Sequence, residues 1–164
     1  MRRLFIAIEP PENVKKKIED NVLPSIRKYV TGSFVTAKKM HITLLFLGDF
    51  PMSDEELVDK LKKLHMRSDI LHLNGVGAFP SLKRPKVVFM HAVDGLDKIH
   101  SELGNAFSLR DDYDYTPHLT LCRVNTVIKS LDDVNDAAGD IEIPFKADGL
   151  RLFDGDSGDY RRLY

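Results

Sequence analysis

Tryptophan is absent from this chain and cysteine occurs once, at Cys122. One thiol cannot form an internal disulfide, so the chain does not read as a cross-linked secreted scaffold and fits a reducing, cytoplasmic setting. Long hydrophobic runs are missing too: no stretch approaches the ~18 apolar residues of a membrane span, so no membrane partner is expected. The opening MRRLFIAIEPPE is interrupted by Glu9 and two prolines before it could form a secretory leader. Neither charge sign dominates, with 24 Lys+Arg against 25 Asp+Glu and a net charge of -1. A general basic surface for nucleic acid is thereby excluded, and any such role needs a local site, such as a pocket for one strand end. No Gly-rich phosphate loop is present to suggest a doubly wound sheet. What is present suits one compact domain over residues 1–164, or two small lobes sharing a core: 43% hydrophobic and 30% charged residues.

Leu4 to Ile8 is too short and too apolar for an amphipathic helix and reads as a strand. Val14, Ile18, Val22 and Ile26, four apart, predict a helix starting near Pro11, with Pro24 kinking it or ending it early. Gly32 is expected to close this unit, followed by strands at Phe34–Thr36 and His41–Leu47 with a turn at Lys38-Lys39. Ser53-Asp54-Glu55-Glu56 has the form of a capping box, and Leu57, Leu61 and Leu64 supply the stripe of a second helix. Ile70 to Phe79 reads as a strand with a bulge at its glycines, Ser81–Lys86 as a loop and Val87–Met90 as a buried strand. Leu96, Ile99, His100, Leu103 and Phe107 mark a third helix. Ser130 to Asp133 can cap a fourth, short one, and Ile141–Phe145, Leu150–Phe153 and Tyr160–Tyr164 close the chain as strands. The sum is an α+β fold with mainly antiparallel strands.

One arrangement occurs twice. His41-Ile42-Thr43-Leu44 and His118-Leu119-Thr120-Leu121 lie 77 residues apart, close to half the chain. In a strand each places an imidazole and a hydroxyl on one face and two apolar anchors on the other. A lone strand histidine is usually a core residue with ordinary partners. With only six His and six Thr among 164 residues, a coincidental doubling is remote. Two such histidines facing one another suit acid–base catalysis near neutral pH, and two hydroxyls suit the oxygens of a phosphate. Zinc is the rival, but Thr is a poor ligand and no metal or other cofactor is expected. Strict alternation also turns Cys122 toward His118, where a nucleophile is conceivable and a small buried filler is the plainer reading. His65, His72, His91 and His100 lack the Thr partner and receive no catalytic role.

These motifs resemble those of the two-histidine (2H) phosphoesterase superfamily. Within it, RLFIAIEPP, HITLLFLGD, GAFPSLKRPKVVF and TPHLTLCRV are similar to the RNA 2′,3′-cyclic phosphodiesterases, first named for 2′-5′ RNA ligase activity. The resemblance weakens over the last 40 residues, where FDGDSGDYRRLY is more acidic and turn-rich. It implies a bilobal fold of mainly antiparallel sheets with outer helices and pseudo-twofold halves about a central cleft. It also implies metal-free hydrolysis of a terminal RNA 2′,3′-cyclic phosphate to a 2′-phosphomonoester by a monomeric enzyme. His41 matches the proton donor, His118 the proton acceptor, and Thr43, Thr120 and Arg123 the phosphate-binding groups. Acid and base should then have pKa values pushed apart. Arg123 lies an odd five residues from His118, so it needs a bulge to reach the same face. Lys38, Lys39, Lys83, Arg84 and Lys86 could line the cleft mouth, Phe5 could stack a base, and Asp111, Asp112 and Asp114 could hold a cation; plain solvation or core packing competes with each. Alternative activities are 2′-5′ RNA ligation, cleavage of 2′-5′ oligonucleotides, or ligand binding by a module without turnover.

Overall fold

A computed structural model describes residues 1–64, 70–110, 114–137, 141–156 and 160–164. Strand β1, Leu4–Ile8, is buried along its whole length because it lies between two other strands and is covered on both faces. Helix α1, Glu12–Lys17, continues through a π-helical turn at Ile18–Val22 into α2, Leu23–Ile26. A strict four-residue spacing overruns the helical period by roughly 40° per step. The wider π turn absorbs that drift, so Val14, Ile18, Val22 and Ile26 all stay buried. Pro24 sits just after that turn, and the helix runs past it to Ile26 instead of ending early.

Strand β2 spans Val30–Phe34, earlier than the sequence suggested, and Gly32 lies inside it instead of closing the helical unit. The reason is a close approach: a Cβ on Gly32 would stand 2.0 Å from the Arg123 carbonyl oxygen. A short 3₁₀ turn at Ala37–Lys39 leads into β3, Ile42–Gly48. The capping box forms in full, Ser53 and Glu56 each satisfying the other's backbone N–H at the start of α3, Asp54–Lys62. Strands β4, Ile70–Pro80, and β5, Pro85–Val93, form a long hairpin that takes in part of the expected loop, with a register shift between Leu73 and Val76 beside Gly75. Helix α4 is Leu96–Ala106, β6 is His118–Val127 and α5 is Val134–Ala137. Strands β7, Glu142–Lys146, and β8, Arg151–Asp154, follow, and the last strand, β9, shrinks to Arg161–Arg162.

The strands form one sheet in the order β7-β4-β5-β6-β3-β1-β8-β9, with β2 on β6, and every pairing is antiparallel. The sheet is nearly two sheets. β3 and β6 share a single register pair, Ile42 with Leu119, and then diverge. That pair joins the residues that follow each motif histidine, so the two motifs meet head to head about a local pseudo-twofold axis. Where the strands part, a cleft opens between the halves. Among the described residues no helix is long and apolar enough to cross a membrane.

Candidate active site

His41 stands just before β3 and His118 opens β6, both on the cleft wall. The cleft has a volume of about 600 Å³, and Thr43, Thr120 and Arg123 line it together with the two histidines. Alternation buries Ile42, Leu44, Leu119 and Leu121 completely on the reverse side. Both rings are fixed in the same way. His41 Nδ1–H donates to the Lys39 carbonyl at 2.6 Å, and His118 Nδ1–H donates to the Thr116 carbonyl at 2.7 Å. A carbonyl can only accept, so each bond selects the tautomer whose Nε2 carries a free lone pair.

Arg123 reaches the cleft through a bulge. Phe89 pairs with Thr120, but the next pair is Val88 with Cys122, leaving Leu121 as an extra residue in β6. The extra residue reverses the parity of everything after it. Arg123 turns to the cleft, and Cys122 turns into the core, with no exposed surface. The thiol is therefore a buried filler, its pKa pushed up by burial, and the alternation that set it beside His118 does not hold.

The first motif carries the same device. Ala7 pairs with Thr43 and Ile6 with Leu45, so Leu44 is the extra residue in β3. Phe46 then occupies the position that matches Arg123, 61% exposed and lining the cleft. One half thus offers a cation where the other offers an aromatic face. Nothing in the composition of the first motif distinguishes Phe46 from an ordinary core residue.

Aromatic rings box in both histidines. Phe5, Tyr160 and Phe153 surround His41 at centroid distances of 4.9, 5.1 and 6.4 Å. Phe79 and Phe89 flank His118 at 5.0 and 5.1 Å. Phe5 is only 5% exposed and belongs to this wall. Burial lowers the pKa of both histidines; at His41 the neighbouring His118 adds to the effect while the Lys39 carbonyl and Glu9 oppose it. At His118 the Thr116 carbonyl opposes burial, and His91 reinforces it. The two values therefore move the same way instead of apart.

Several contributors escaped the sequence reading. Tyr160 reaches the cleft from the far end of the chain. His91 lies opposite His118 in the ladder. Where β3 leaves β6, its free edge is satisfied by side chains: Tyr115 donates its hydroxyl to the Thr43 carbonyl at 2.7 Å, and His100 donates Nδ1–H to the Leu44 carbonyl at 2.5 Å. The two rings stack at 4.0 Å. They help to line a second cavity of about 230 Å³, which shares Thr43, Phe46, Phe79 and His118 with the cleft. Lys39 lines the cleft and Lys38 an adjoining hollow, whereas Lys83, Arg84 and Lys86 are not part of the cleft wall. Asp114 borders the second cavity; Asp111, Asp112 and His65 lie outside the described residues. Among the described residues no group of three or more His, Cys, Asp or Glu is placed to hold a metal ion.

A cleft between paired half-sheets, with one His and one Thr from each half, is the layout of a two-histidine phosphoesterase. The sequence model of the 2′-5′ RNA ligase superfamily matches residues 11–159, and the chain belongs to that family. It is 29% identical to an RNA 2′,3′-cyclic phosphodiesterase of Methanocaldococcus jannaschii, over 92% of this chain and 90% of that protein. It is 24% identical to an RNA 2′,3′-cyclic phosphodiesterase of Aquifex aeolicus over 72% of this chain, a match that spans 64% of that protein. The crystal structure of E. coli LigT complexed with 3′-AMP superposes with a TM-score of 0.68, covering 93% of this chain and 87% of LigT. At 19% identity that likeness shows a shared fold.

Proposed function

We propose that this chain acts as one domain that hydrolyses a terminal RNA 2′,3′-cyclic phosphate to a 2′-phosphomonoester, with His41 as proton donor and His118 as proton acceptor. The observation that carries the reading is the matched pair of imidazoles, each with Nδ1–H committed to a backbone carbonyl and each beside a cleft-facing threonine. In-line displacement at phosphorus needs its acid and base on opposite sides, and two half-sheets meeting at one pair supply them. His118 Nε2 takes a proton from water as the water oxygen bonds to phosphorus. The bond from phosphorus to O3′ breaks, and His41 Nε2–H delivers its proton to that oxygen. The product is a 3′-hydroxyl beside a 2′-phosphomonoester.

Thr43, Thr120 and Arg123 hold the phosphoryl oxygens, the guanidinium meeting charge that neutral hydroxyls cannot. Burial lowers the pKa of both histidines, so the negative charge of the substrate is what favours protonation of the acid. Phe46 presents an exposed face for a base. The names of the M. jannaschii and A. aeolicus relatives support this substrate class. The family description supports a second use of the same site, reversal onto a 5′-hydroxyl end to form a 2′-5′ linkage.

A substrate panel tests the proposal: cyclic-phosphate-ended RNA, free 2′,3′-cyclic nucleotides and 2′-5′ dinucleotides, with product linkage read by phosphorus NMR. Release of a 2′-phosphomonoester from the first is expected, with activity retained in EDTA. Tight binding without turnover across the panel would establish a binding module instead.

A further inference from the structure

The two motifs are alike in kind, so something outside them must decide which histidine gives the proton. The ladders supply a difference. In one half Met90 pairs with Leu119 and His91 with His118. In the other, Ile8 with Ile42 is the last pair of the ladder, and Glu9 and His41 are the residues one step beyond it. The matching positions thus hold a carboxylate at one histidine and an imidazole at the other.

The carboxylate is held in an unusual way. Lys15 is the only charged side chain among the described residues that is fully buried, at 3% exposure. Its ammonium donates to Glu9 Oε1 at 2.7 Å and lies 3.5 Å from Glu12. Arg162 approaches the other Glu9 oxygen at 3.9 Å. A buried ammonium is costly unless it faces an anion, so the Lys15 contact fixes the Glu9 carboxyl group where it stands. Nothing in the hydrolytic steps uses Lys15.

We infer that Glu9, anchored by Lys15, is the positioning residue that makes His41 and not His118 the proton donor. This rests on the two-histidine reaction proposed above. A fixed carboxylate favours the imidazolium at His41, whereas His91, when protonated, disfavours it at His118. At His41 burial and His118 oppose protonation while the Lys39 carbonyl and Glu9 favour it; at His118 burial and His91 oppose it and the Thr116 carbonyl favours it. His41 faces Glu9 from β1, the Lys39 carbonyl, His118 across the cleft and the rings of Phe5, Phe153 and Tyr160; the Lys39 ammonium lies over Tyr160 at 5.6 Å. His118 faces His91 from β5, the Thr116 carbonyl, Phe79 and Phe89, with Arg123 further along its own strand. Among the described residues Glu9 is the one carboxylate that bears on either ring, and it bears on His41.

The test is a histidine-resolved NMR titration of the full chain alongside kcat/KM against pH, in wild type, E9Q and E9D. In E9Q the His41 midpoint is expected to fall by about 0.3 pH or more while that of His118 stays, and E9D restores it. The alkaline limb of kcat/KM, which reports the protonated acid, moves down with it. Because E9Q takes the nearer anion from the buried Lys15 and leaves it only Glu12, E9Q/K15M provides a folded comparison with the same expected shift. An unmoved His41 midpoint in both variants, or a uniform fall in rate with both limbs in place, overturns the inference. Absence of turnover by wild type would instead defeat the proposed reaction, and the midpoints would still judge Glu9.

Discussion

Ile42 of β3 and Leu119 of β6 face each other in the single pair that joins the two halves of the sheet, and neither has any exposed surface. Each is the residue between the His and the Thr of its motif. The contact that holds the halves together therefore also sets the separation of the two imidazoles.

Leu119→Ala removes one side of that contact. A cost of about 2–5 kcal/mol is expected, from lost burial plus the cavity left behind. Denaturant melts give the stability. The rate per folded molecule should also fall, because the cleft loses its fixed width. Ile42→Val, at about 0.5–1.5 kcal/mol, should leave most of the rate.

His41→Ala and His118→Ala should each lower cyclic-phosphate hydrolysis by ~100-fold or more with the fold intact. If acid and base act in one step as proposed, the double variant should lose little beyond the worse single one. Normal turnover in either single variant would defeat the mechanism, as read in a steady-state assay with circular dichroism as the folding control.

Burial places both histidine pKa values below the ordinary 6.5. A folded value below the unfolded one means that the unfolded chain binds protons first. The stability these groups contribute is present above about pH 6.5 and is lost as pH falls through the folded values. His72, raised by its bond to Asp94, acts with opposite sign, its contribution fading as pH rises through its folded value. The melting temperature of His41→Asn/His118→Asn should thus lose less between pH 7 and 5 than that of wild type. Added phosphate should raise the midpoints of both rings in NMR titration.

The bulge at Leu121 separates two neighbours sharply. Arg123→Ala should cut kcat/KM roughly 10-fold or more, by analogy with the loss of a charge-assisted contact of about 1.5–3 kcal/mol. Its melting point should barely change, because Arg123 is exposed. Cys122→Ser should do the reverse: a hydroxyl in the core costs about 1–3 kcal/mol, with the rate per folded molecule kept. Thiol-blocking reagents should leave the folded enzyme active.

Much of this was legible locally. The runs Leu4–Ile8 and His41–Leu47, the capping box at Ser53, the stripe of α4 and the doubled His-x-Thr all depend on side-chain period, which a sequence displays directly. The Leu121 bulge illustrates the limit. Cys122 and Arg123 follow the motif by one and two residues, and strict alternation assigns both to the wrong face. Leu44 and Leu121 look like any other strand leucines, because a bulge answers the shape of the partner strand and not the identity of the extra residue.

By itself, then, the sequence determined the α+β class, the pair of histidines and the hydroxyl beside each, since these follow from composition and from spacings of two. Only the tertiary structure decided which residues joined them. It brought Tyr160 to His41 from 119 positions away, set His91 opposite His118, and turned Arg123 inward while hiding Cys122. Those choices depend on strand register, and register is fixed by how whole apolar faces pack together, a long-range sum that no short stretch of residues contains.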